Sequence, residues 1–403
     1  MLQFVVTIPR SLMHTAMDRL GFSPGLVLLG PRQVGKTTLA KAIAVQTPKA
    51  LHLDLQLEVD RAKLSAGSGF LAAQRDQLLV LDEVQYVPEL FAQLRPEIDA
   101  DRRAGRFLLL GSASGRLLQQ SSESLAGRVS YLELTPFMAR EVMPQALGAS
   151  DTDLAMLQKL WLRGGFPPSF TAATDEQSLA WRQDFVATFL NRDLRELGVN
   201  VPAQTLQRFW RMNAHLHGQL FNASQIAASL GGLSHSTVAR YLDALVDTMM
   251  LRRLEPHFAN VGKRLVKSPK VYVRDSGLLH ALLHIGDVNT LSGHPSAGAS
   301  WEGLVLEQIC ALAPAGADIG FYRTAAGAEL DVVVSWGSRT VAFEIKLSAA
   351  PKVTRGFWQA CSDLGVDAAF IVAPVVQGWP LKSDTPYAVK VVSVLELAGI
   401  FGT

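Results

Sequence analysis

The stretch Val27–Leu39 decides the fold of this chain, and it reads Val-Leu-Leu-Gly-Pro-Arg-Gln-Val-Gly-Lys-Thr-Thr-Leu. It opens with apolar residues, as a buried parallel strand does, and the residues after it favour a helix. Between them lies Gly-x-x-x-x-Gly-Lys-Thr, whose glycines let backbone N–H groups point inward around an anion at the start of that helix. The stretch therefore predicts a nucleotide-binding site at the end of a strand.

The loop residues have distinct predicted roles. Lys36 would reach the β- and γ-phosphates of a nucleoside triphosphate, and the hydroxyl of Thr37 would be a ligand of Mg²⁺. Nine consecutive residues form the predicted nucleotide contact. They are Gly30, Pro31, Arg32, Gln33, Val34, Gly35, Lys36, Thr37 and Thr38.

The run from Leu78 to Glu83 is four apolar residues followed by two acids. In an open α/β sheet, the carboxyl ends of the strands form the ligand edge. Asp82 would hold Mg²⁺ there, directly or through water, and Glu83 would polarise the attacking water. A strand that simply ends in a polar turn is the alternative, but the upstream phosphate loop favours hydrolysis.

A third apolar strand, from Phe107, ends in small polar residues. Ser112 or Ser114 stands where a group that senses the γ-phosphate is expected, although serine is equally at home in a turn. Because these strands are continuous apolar runs separated by helices, the pattern predicts a parallel, doubly wound α/β sheet.

These motifs resemble the AAA-type branch of P-loop ATPases, on Gly30–Thr37, Leu78–Glu83 and Leu110–Ser114. The segments Asp82–Leu90 and Leu125–Phe137 are similar to one prokaryotic family of these ATPases. The resemblance implies ATP as the nucleotide, Mg²⁺ as its cation and ATP hydrolysis as the reaction.

The same resemblance makes Arg128 a candidate catalytic arginine, acting in trans or as a sensor. A planar, permanently charged guanidinium suits the stabilisation of charge on a transferring phosphoryl group. A trans role would require a homo-oligomer. A surface ion pair is the alternative, and the sequence leaves both open.

Bulk properties indicate a globular chain of several domains. The 403 residues are 48% hydrophobic and 18% charged, with a net charge of only +2, which argues against a basic nucleic-acid coat. We expect a P-loop ATPase domain at 1–150, a helical lid with a winged-helix segment at 151–260, and a third domain at 261–403. No membrane span or signal peptide is recognised and both cysteines read as buried free thiols, so we expect a cytoplasmic protein.

The segment after Phe221 has the order of a winged helix-turn-helix: two short helices, Asn222–Leu230 and Ser234–Asp247, then a strand at Leu251–Leu254. Its second helix would present polar residues, but acids share that face, so DNA contact and protein contact both stay open. Several nearby residues could neutralise phosphates. They are Arg252, Arg253, Lys263, Arg264, Lys267 and Lys270.

The last third carries a second acidic pattern. Asp331 lies near the start of one apolar strand, and Glu344 and Lys346 lie two apart on the next, which places them on one face. Glu302 can join from a preceding helix at Trp301–Leu312. Such carboxylates would hold a hard cation, and a lysine could orient or activate water.

This pattern resembles the PD-(D/E)xK nuclease superfamily, with Asp331, Glu344 and Lys346 on its motif positions and Glu302 on its optional helix acid. The resemblance implies a restriction-endonuclease-like α/β domain in which Asp331, Glu344 and Lys346 are catalytic and the three acids bind metal. Leu330 stands where the motif has proline. An edge hairpin with a surface salt bridge is the alternative.

Together the sequence predicts a Mg²⁺-dependent ATPase coupled to a DNA-associated, nuclease-like C-terminal domain. The alternative is a non-cleaving regulatory or defence-type ATPase switch that binds DNA or a protein partner. ATP is the expected small-molecule ligand. DNA, a protein partner and self-association are left open.

Overall fold

The computed structural model of the chain describes seven stretches. They are residues 8–65, 68–112, 123–143, 151–194, 201–257, 265–381 and 387–402. Of the residues singled out above, Ser114, Lys263 and Arg264 lie outside these stretches. The chain divides into two compact units, the first built mainly from 1–137 and the second mainly from 138–403.

The first unit is a five-stranded parallel sheet with helices on both faces. Its strands are β1 Gly25–Gly30, β2 Ala50–Asp54, β3 Leu78–Asp82, β4 Phe107–Ser112 and β5 Val129–Glu133. Its helices are α1 Leu12–Phe22, α2 Lys36–Gln46, α3 Glu58–Ser65, α4 Ser68–Ala73 and α5 Leu90–Ala100. The strand order is β2-β3-β4-β1-β5, and the predicted parallel α/β sheet is confirmed.

Both faces of this sheet are buried, which explains the continuous apolar runs. Val27, Leu79 and Leu109 belong to one apolar cluster, which includes the buried side of α5. Leu28 and Leu108 belong to the cluster on the other face, with residues of α1 and α2. Successive strand residues point to opposite faces, so a strand covered on both sides has no polar position to alternate with.

The second unit begins with helices. Those before residue 250 are α6 Ala139–Val142, α7 Asp151–Arg163, α8 Pro167–Phe170, α9 Asp175–Thr188, α10 Ala203–His215, α11 Ala223–Ser229 and α12 His235–Asp247. A short π-helical turn follows α9 at Phe189–Asp193. After α12, β6 Leu251–Leu254 pairs antiparallel with β7 Lys270–Val273. The elements thus follow the predicted order of two helices and a strand.

The rest of this unit surrounds a six-stranded mixed sheet. Its strands are β8 Asp318–Arg323, β9 Glu329–Trp336, β10 Arg339–Ile345, β11 Ala368–Val372, β12 Trp379–Pro380 and β13 Ala388–Val392. Its helices are α13 Ser276–Leu282, α14 Val288–Ser292, α15 Ala297–Leu312, α16 Arg355–Leu364 and α17 Leu397–Phe401. The order is β12-β13-β11-β10-β9-β8, so the chain has a second α/β region with a mixed sheet.

Helices of the predicted middle domain pack on helices of the predicted third domain. The Nε1 of Trp161 in α7 donates to the Ser300 hydroxyl of α15 at 2.9 Å. The backbone N–H of Gly165 donates to Asp275, the residue that caps α13, at 2.8 Å. Both segments therefore belong to one compact unit, and the predicted boundary near residue 260 stays a prediction.

Two local expectations differ from the structure. The three glycines and the proline between His284 and Ala299 favour a loop, but α14 lies within this segment, capped by the Asp287 side chain, which accepts from the N–H of Thr290 at 2.9 Å. Both cysteines are free, as expected, yet only Cys361 is buried, and Cys310 is half-buried. Among the described residues, no helix is both long and apolar enough to cross a membrane.

Candidate functional site

The phosphate loop connects β1 to α2 with an unusual backbone. Gln33 and Gly35 have φ angles of 62° and 100°, in the left-handed region. A side chain on Gly30 would come within 2.5 Å of the Leu134 carbonyl oxygen, so glycine is required at this strand end. The loop is therefore shaped by the residues that the motif fixes.

Lys36 lies folded back on its own loop. Its Nζ donates to the carbonyl oxygens of Gly30 and Pro31, each at 2.9 Å. Burial lowers the pKa of Lys36 to about 8, although the charges of Glu83 and Asp82 act in the opposite direction. Its contacts are neutral carbonyls, so a phosphate would offer this ammonium a stronger partner than it now has.

Thr37 and Asp82, the two predicted Mg²⁺ ligands of this site, are in contact. The Thr37 hydroxyl donates to Asp82 Oδ2 at 2.6 Å, and His52 Nε2 lies 3.5 Å from the same oxygen. Asp82 closes β3 and is buried. A hydroxyl and a carboxylate side by side fit a Mg²⁺ ion that takes its other oxygens from phosphates and water.

Glu83 follows Asp82 in a strained conformation. Its φ angle is 57°, its backbone N–H donates to Asp82 Oδ1 at 3.0 Å, and its carboxylate accepts a hydrogen bond from the Gln85 amide. Left-handed backbone at a non-glycine residue concentrates at functional sites. The strain turns the chain sharply at the ligand edge, and the Gln85 amide holds the carboxylate that was predicted to polarise water.

Ser112 ends β4, which lies between the strand of the phosphate loop and the strand of Asp82. Its side chain is 1% exposed, and its hydroxyl has no hydrogen-bond partner among the described residues. A buried hydroxyl without a partner calls for an explanation. A nucleotide phosphate would supply the missing partner at this strand end.

Arg128 lies at the other edge of the sheet. It precedes Val129, which pairs with Gly25 at the start of β1, whereas the phosphate loop follows the end of β1. Five strand residues separate the two edges, a distance of roughly 17 Å. Arg128 makes a two-pronged ion pair with Asp99 at 2.8 and 3.0 Å, so it is not placed to touch a nucleotide in its own chain.

Arg10 also contributes to this site. The Arg10 guanidinium donates to the carbonyl of Val34 at 2.9 Å and to the carbonyl of Thr135, and it lies 4.9 Å from the Phe137 ring centre. It thereby ties the loop to the segment after β5. No motif marks a lone arginine 20 residues before the loop, so only the structure could reveal it.

The C-terminal pattern also converges, as expected. β9 and β10 are antiparallel with Phe343 opposite Val332, which brings Glu344 beside Asp331. Glu302 reaches the same open cavity of about 590 Å³ from α15. Lys346 Nζ pairs with Glu344 Oε1 at 2.6 Å, and the N–H of Ile345 donates to Asp331 Oδ2 at 2.8 Å.

Two residues outside the motif, Glu329 and Lys270, also lie at this cluster of carboxylates. Glu329 stands two before Asp331 on β9, and Lys270 begins β7. Lys270 Nζ lies 3.2 Å from Glu329 Oε1, 3.4 Å from Glu302 Oε1 and 3.8 Å from Asp331 Oδ1. The period-two spacing of Glu329 and Asp331 could have revealed the first residue, but no local signal connects Lys270 to the acids.

The electrostatics of the cluster reflect crowded negative charge. Burial and the neighbouring Asp331 raise the pKa of both Glu302 and Glu344 to about 7. Burial alone would lower the pKa of Lys270, but Glu302, Asp331 and Glu329 raise it above its ordinary value. Lys270 is therefore held in its charged form by the carboxylates around it.

These contacts do not fit the predicted metal site at Glu302, Asp331 and Glu344. In the part of the chain that the structure describes, no group of three or more His, Cys, Asp or Glu side chains is arranged to hold a metal ion. The physical reason is that an ammonium group already lies between the carboxylates. The metal site at these three acids therefore stays a prediction, with the Lys270 ammonium lying among the carboxylates.

The expected DNA-facing basic residues are also largely engaged. Arg252 pairs with Glu307, whose carboxylate also binds Arg274, and Arg253 pairs with Asp243 at 3.1 Å. On α12, His235 and Arg240 are exposed. Lys267 is exposed as well, but Lys270 is buried. The basic residues near α12 therefore have less free charge for DNA phosphates than their number predicts.

Comparison with known proteins agrees with the arrangement of the chain. The family described as "AAA domain" matches residues 23–143, and two domains of unknown function, DUF8612 and DUF4143, match residues 154–289 and 297–394. The uncharacterized proteins Rv2008c of Mycobacterium tuberculosis and Mb2031c of Mycobacterium bovis are each 44% identical to it. Each of these alignments covers 94% of this chain and 82% of the relative.

Solved structures also match this chain, at lower sequence identity. A Walker-type ATPase of Pyrococcus abyssi is 14% identical, with a TM-score of 0.49 over 69% of this chain and 96% of its own. The RuvB Holliday junction branch migration motor of Thermotoga maritima is 19% identical, with a TM-score of 0.30 over 61% of this chain and 90% of its own. The family matches, and the phosphate loop within them, show that the chain belongs to the AAA-type P-loop ATPases that carry a C-terminal domain of unknown function.

Proposed function

We propose that this ATPase uses a Mg²⁺-dependent hydrolysis cycle to control its DNA-associated, nuclease-like C-terminal domain. The observation that carries the hydrolytic part is the contact between Thr37 and Asp82 at 2.6 Å, directly beside the strained Glu83. A binding loop alone would need no acid after the metal ligand. The geometry therefore favours turnover over simple nucleotide retention.

Each residue of the loop has a definite task in this proposal. Lys36 leaves the carbonyls of Gly30 and Pro31 and contacts the β- and γ-phosphates. Glu83 accepts a proton from the attacking water, and Ser112 donates its free hydroxyl to the γ-phosphate. When bound at Thr37 and Asp82, Mg²⁺ neutralises charge on the phosphates.

The hydrolysis proposal is tested by comparing Lys36→Ala and Glu83→Gln with wild type. Lys36→Ala should lose both ATP binding and hydrolysis, whereas Glu83→Gln should keep ATP binding and lose hydrolysis by about 100-fold or more. Phosphate release and binding of a fluorescent ATP analogue provide the two readouts. Lys41→Ala is the matched control, because Lys41 is exposed on the same helix. Hydrolysis by Glu83→Gln at the wild-type rate would show that Glu83 does not take part in the reaction.

The DNA-associated part of the proposal is supported by two features of the second unit. One is the convergence of Asp331, Glu344 and Lys346 in the pattern of a nuclease-like site. The other is the exposed polar start of α12 at His235 and Ser236, ahead of the β6–β7 pair. Binding of labelled duplex DNA that differs between the ATP-bound and ADP-bound protein is the expected result. Equal binding in both states would contradict the coupling.

A second candidate function is a regulatory ATPase whose C-terminal domain binds without cleaving. The observation that favours it is the position of Lys270 between the carboxylates of the cluster. The same DNA-binding samples, incubated with Mg²⁺ or Mn²⁺ and run on a denaturing gel, separate the two functions. Cleavage that is lost in Lys346→Ala supports a nuclease, and intact DNA supports the regulatory function.

A further inference from the structure

The position of Lys270 is fixed by the backbone rather than by the side chain alone. Lys270 begins β7, where it pairs with Leu254 of β6, and it also forms a β-bridge with Leu220. Its side chain is 5% exposed, and its Nζ lies 5.4 Å from the ring centre of Phe321. A buried lysine held on both sides in this way does not behave as a mobile surface charge.

The acceptors around Lys270 come from two different elements. Glu302 belongs to α15, while Glu329 and Asp331 belong to β9, and all three point an oxygen at Nζ within 3.2–3.8 Å. Glu302 Oε1 also accepts a hydrogen bond from the Tyr272 hydroxyl at 2.5 Å, two residues further along β7. The ammonium thus lies where carboxylates of separate elements meet, which is the place a hard cation would take.

We propose that Lys270 is the built-in cation of this cluster, so that the C-terminal site takes up no divalent metal ion of its own. A metal ion would compete for the same oxygens of Glu302 and Asp331, and its charge would repel the ammonium beside it. The remaining carboxylate, Glu344, is paired with Lys346. The inference concerns metal uptake and does not depend on ATP hydrolysis.

Charge counting supports the same assignment. Four carboxylates line the cluster, from Glu302, Glu329, Asp331 and Glu344. Lys270 and Lys346 neutralise two of these charges, and Arg323 Nε lies 3.6 Å from Glu329 as a third cation. Even with Glu302 and Glu344 fully ionised, three positive charges against four negative ones leave less attraction for a divalent ion than a cluster of bare carboxylates has.

The test measures Mn²⁺ binding by calorimetry in the absence of nucleotide. The parent is the full chain with Asp82→Asn, which removes the metal ligand of the ATP site. The parent should show no Mn²⁺ site that depends on Asp331. Adding Lys270→Met should create one Mn²⁺ site, because three carboxylates lose their cation. Its affinity should be about tenfold or more above any Mn²⁺ binding by the parent. Adding Asp331→Asn to that variant should abolish the new site.

Lys267→Met is the matched control, since Lys267 is an exposed lysine just before β7, and it should behave as the parent does. A Mn²⁺ site in the parent that disappears on Asp331→Asn would overturn the proposal. The comparison of the parent with its Asp331→Asn variant tests the proposal even if Lys270→Met fails to fold, because both of those proteins retain Lys270. A Lys270→Met protein that folds and gains no Mn²⁺ site would overturn it as well.

Discussion

The two acidic sites of this protein use a lysine in opposite ways. At the ATP site, Lys36 lies on neutral backbone carbonyls, and Asp82 contacts the Thr37 hydroxyl, the Glu83 backbone N–H and His52. At the C-terminal site, Lys270 lies among three carboxylates. The pKa of Lys36 is lowered, mainly by burial, while that of Lys270 is raised by its acids. The difference teaches that the position of the lysine, rather than the presence of acids, decides whether a site is ready for a cation.

The largest expected effect is on stability, from replacing each lysine by methionine. Lys270→Met should lower the free energy of unfolding by about 3 kcal/mol, because it leaves buried carboxylates without their cation. Lys36→Met should change it by about 1 kcal/mol or less, because the loss of two hydrogen bonds to uncharged carbonyls is offset by the removal of an ammonium whose pKa burial lowers. Urea unfolding followed by circular dichroism gives both values.

Tryptophan fluorescence gives an independent reading for Lys270→Met, since all seven tryptophans fall in the second unit. Lys267→Met should match wild type in both measurements. Equal losses for Lys36→Met and Lys270→Met would break the comparison, because they would mean that the two lysines have equivalent surroundings.

A smaller effect should appear in the pH dependence of the second unit. His217 lies behind the C-terminal cluster, where burial lowers its pKa to about 3 and its Nδ1 accepts a hydrogen bond from the Val273 N–H at 3.0 Å. The unfolded chain therefore binds a proton that the folded chain refuses, so acid removes stability as the pH falls below about 6.5. The loss for this one group should be about 1.4 kcal/mol per pH unit.

His217→Gln should reduce that slope, because glutamine can accept the same N–H and does not titrate. The exposed His235→Gln is the control and should leave the slope unchanged. Tryptophan fluorescence during urea unfolding at pH 4, 5 and 6 measures it. An unchanged slope in His217→Gln would show that His217 is protonated in the folded state.

The smallest expected effect on stability comes from replacing Arg128. The same variant tests whether Arg128 acts at the ATP site. Arg128→Ala removes the exposed ion pair with Asp99, and Asp99→Ala removes that pair together with the one to Arg102, so each should leave the free energy of unfolding nearly unchanged. If Arg128 serves the site of a neighbouring copy, only Arg128→Ala should lower phosphate release. Equal activity of the two variants would leave Arg128 as a surface ion-pair residue.

The fold was predictable where one strand or helix carries its own signal. Continuous apolar runs marked β1, β3 and β4, and the motif after β1 marked the helix that follows it, α2. The short α14 was missed although Asp287 and Thr290 carry a capping signal, because the surrounding glycines and proline indicated a loop. Packing of α7 on α15 joins residues far apart in sequence, and no local pattern encodes it.

The sites show the same division. Asp82 and Glu83 stand at the end of β3, and Thr37 stands at the start of the helix after β1, so topology brings them to one edge of the sheet, as the sequence predicts. The convergence of Asp331 and Glu344 follows from one β-hairpin and was foreseen too. Lys270 reaches the cluster from 61 residues before Asp331, and the sequence placed it among basic residues for DNA. Its role depends on tertiary contacts alone.

The backbone anchoring of Lys270 also has a consequence for how the two sites depend on the medium. The Mg²⁺ ion proposed at Thr37 and Asp82 would come from solution, so a chelator would empty that site and added Mg²⁺ would refill it. The cation proposed among Glu302, Glu329 and Asp331 is the Lys270 ammonium, which is part of the polypeptide. It is therefore present in every folded molecule. The C-terminal cluster would therefore keep its cation when a chelator removes the Mg²⁺ on which the proposed ATP hydrolysis depends.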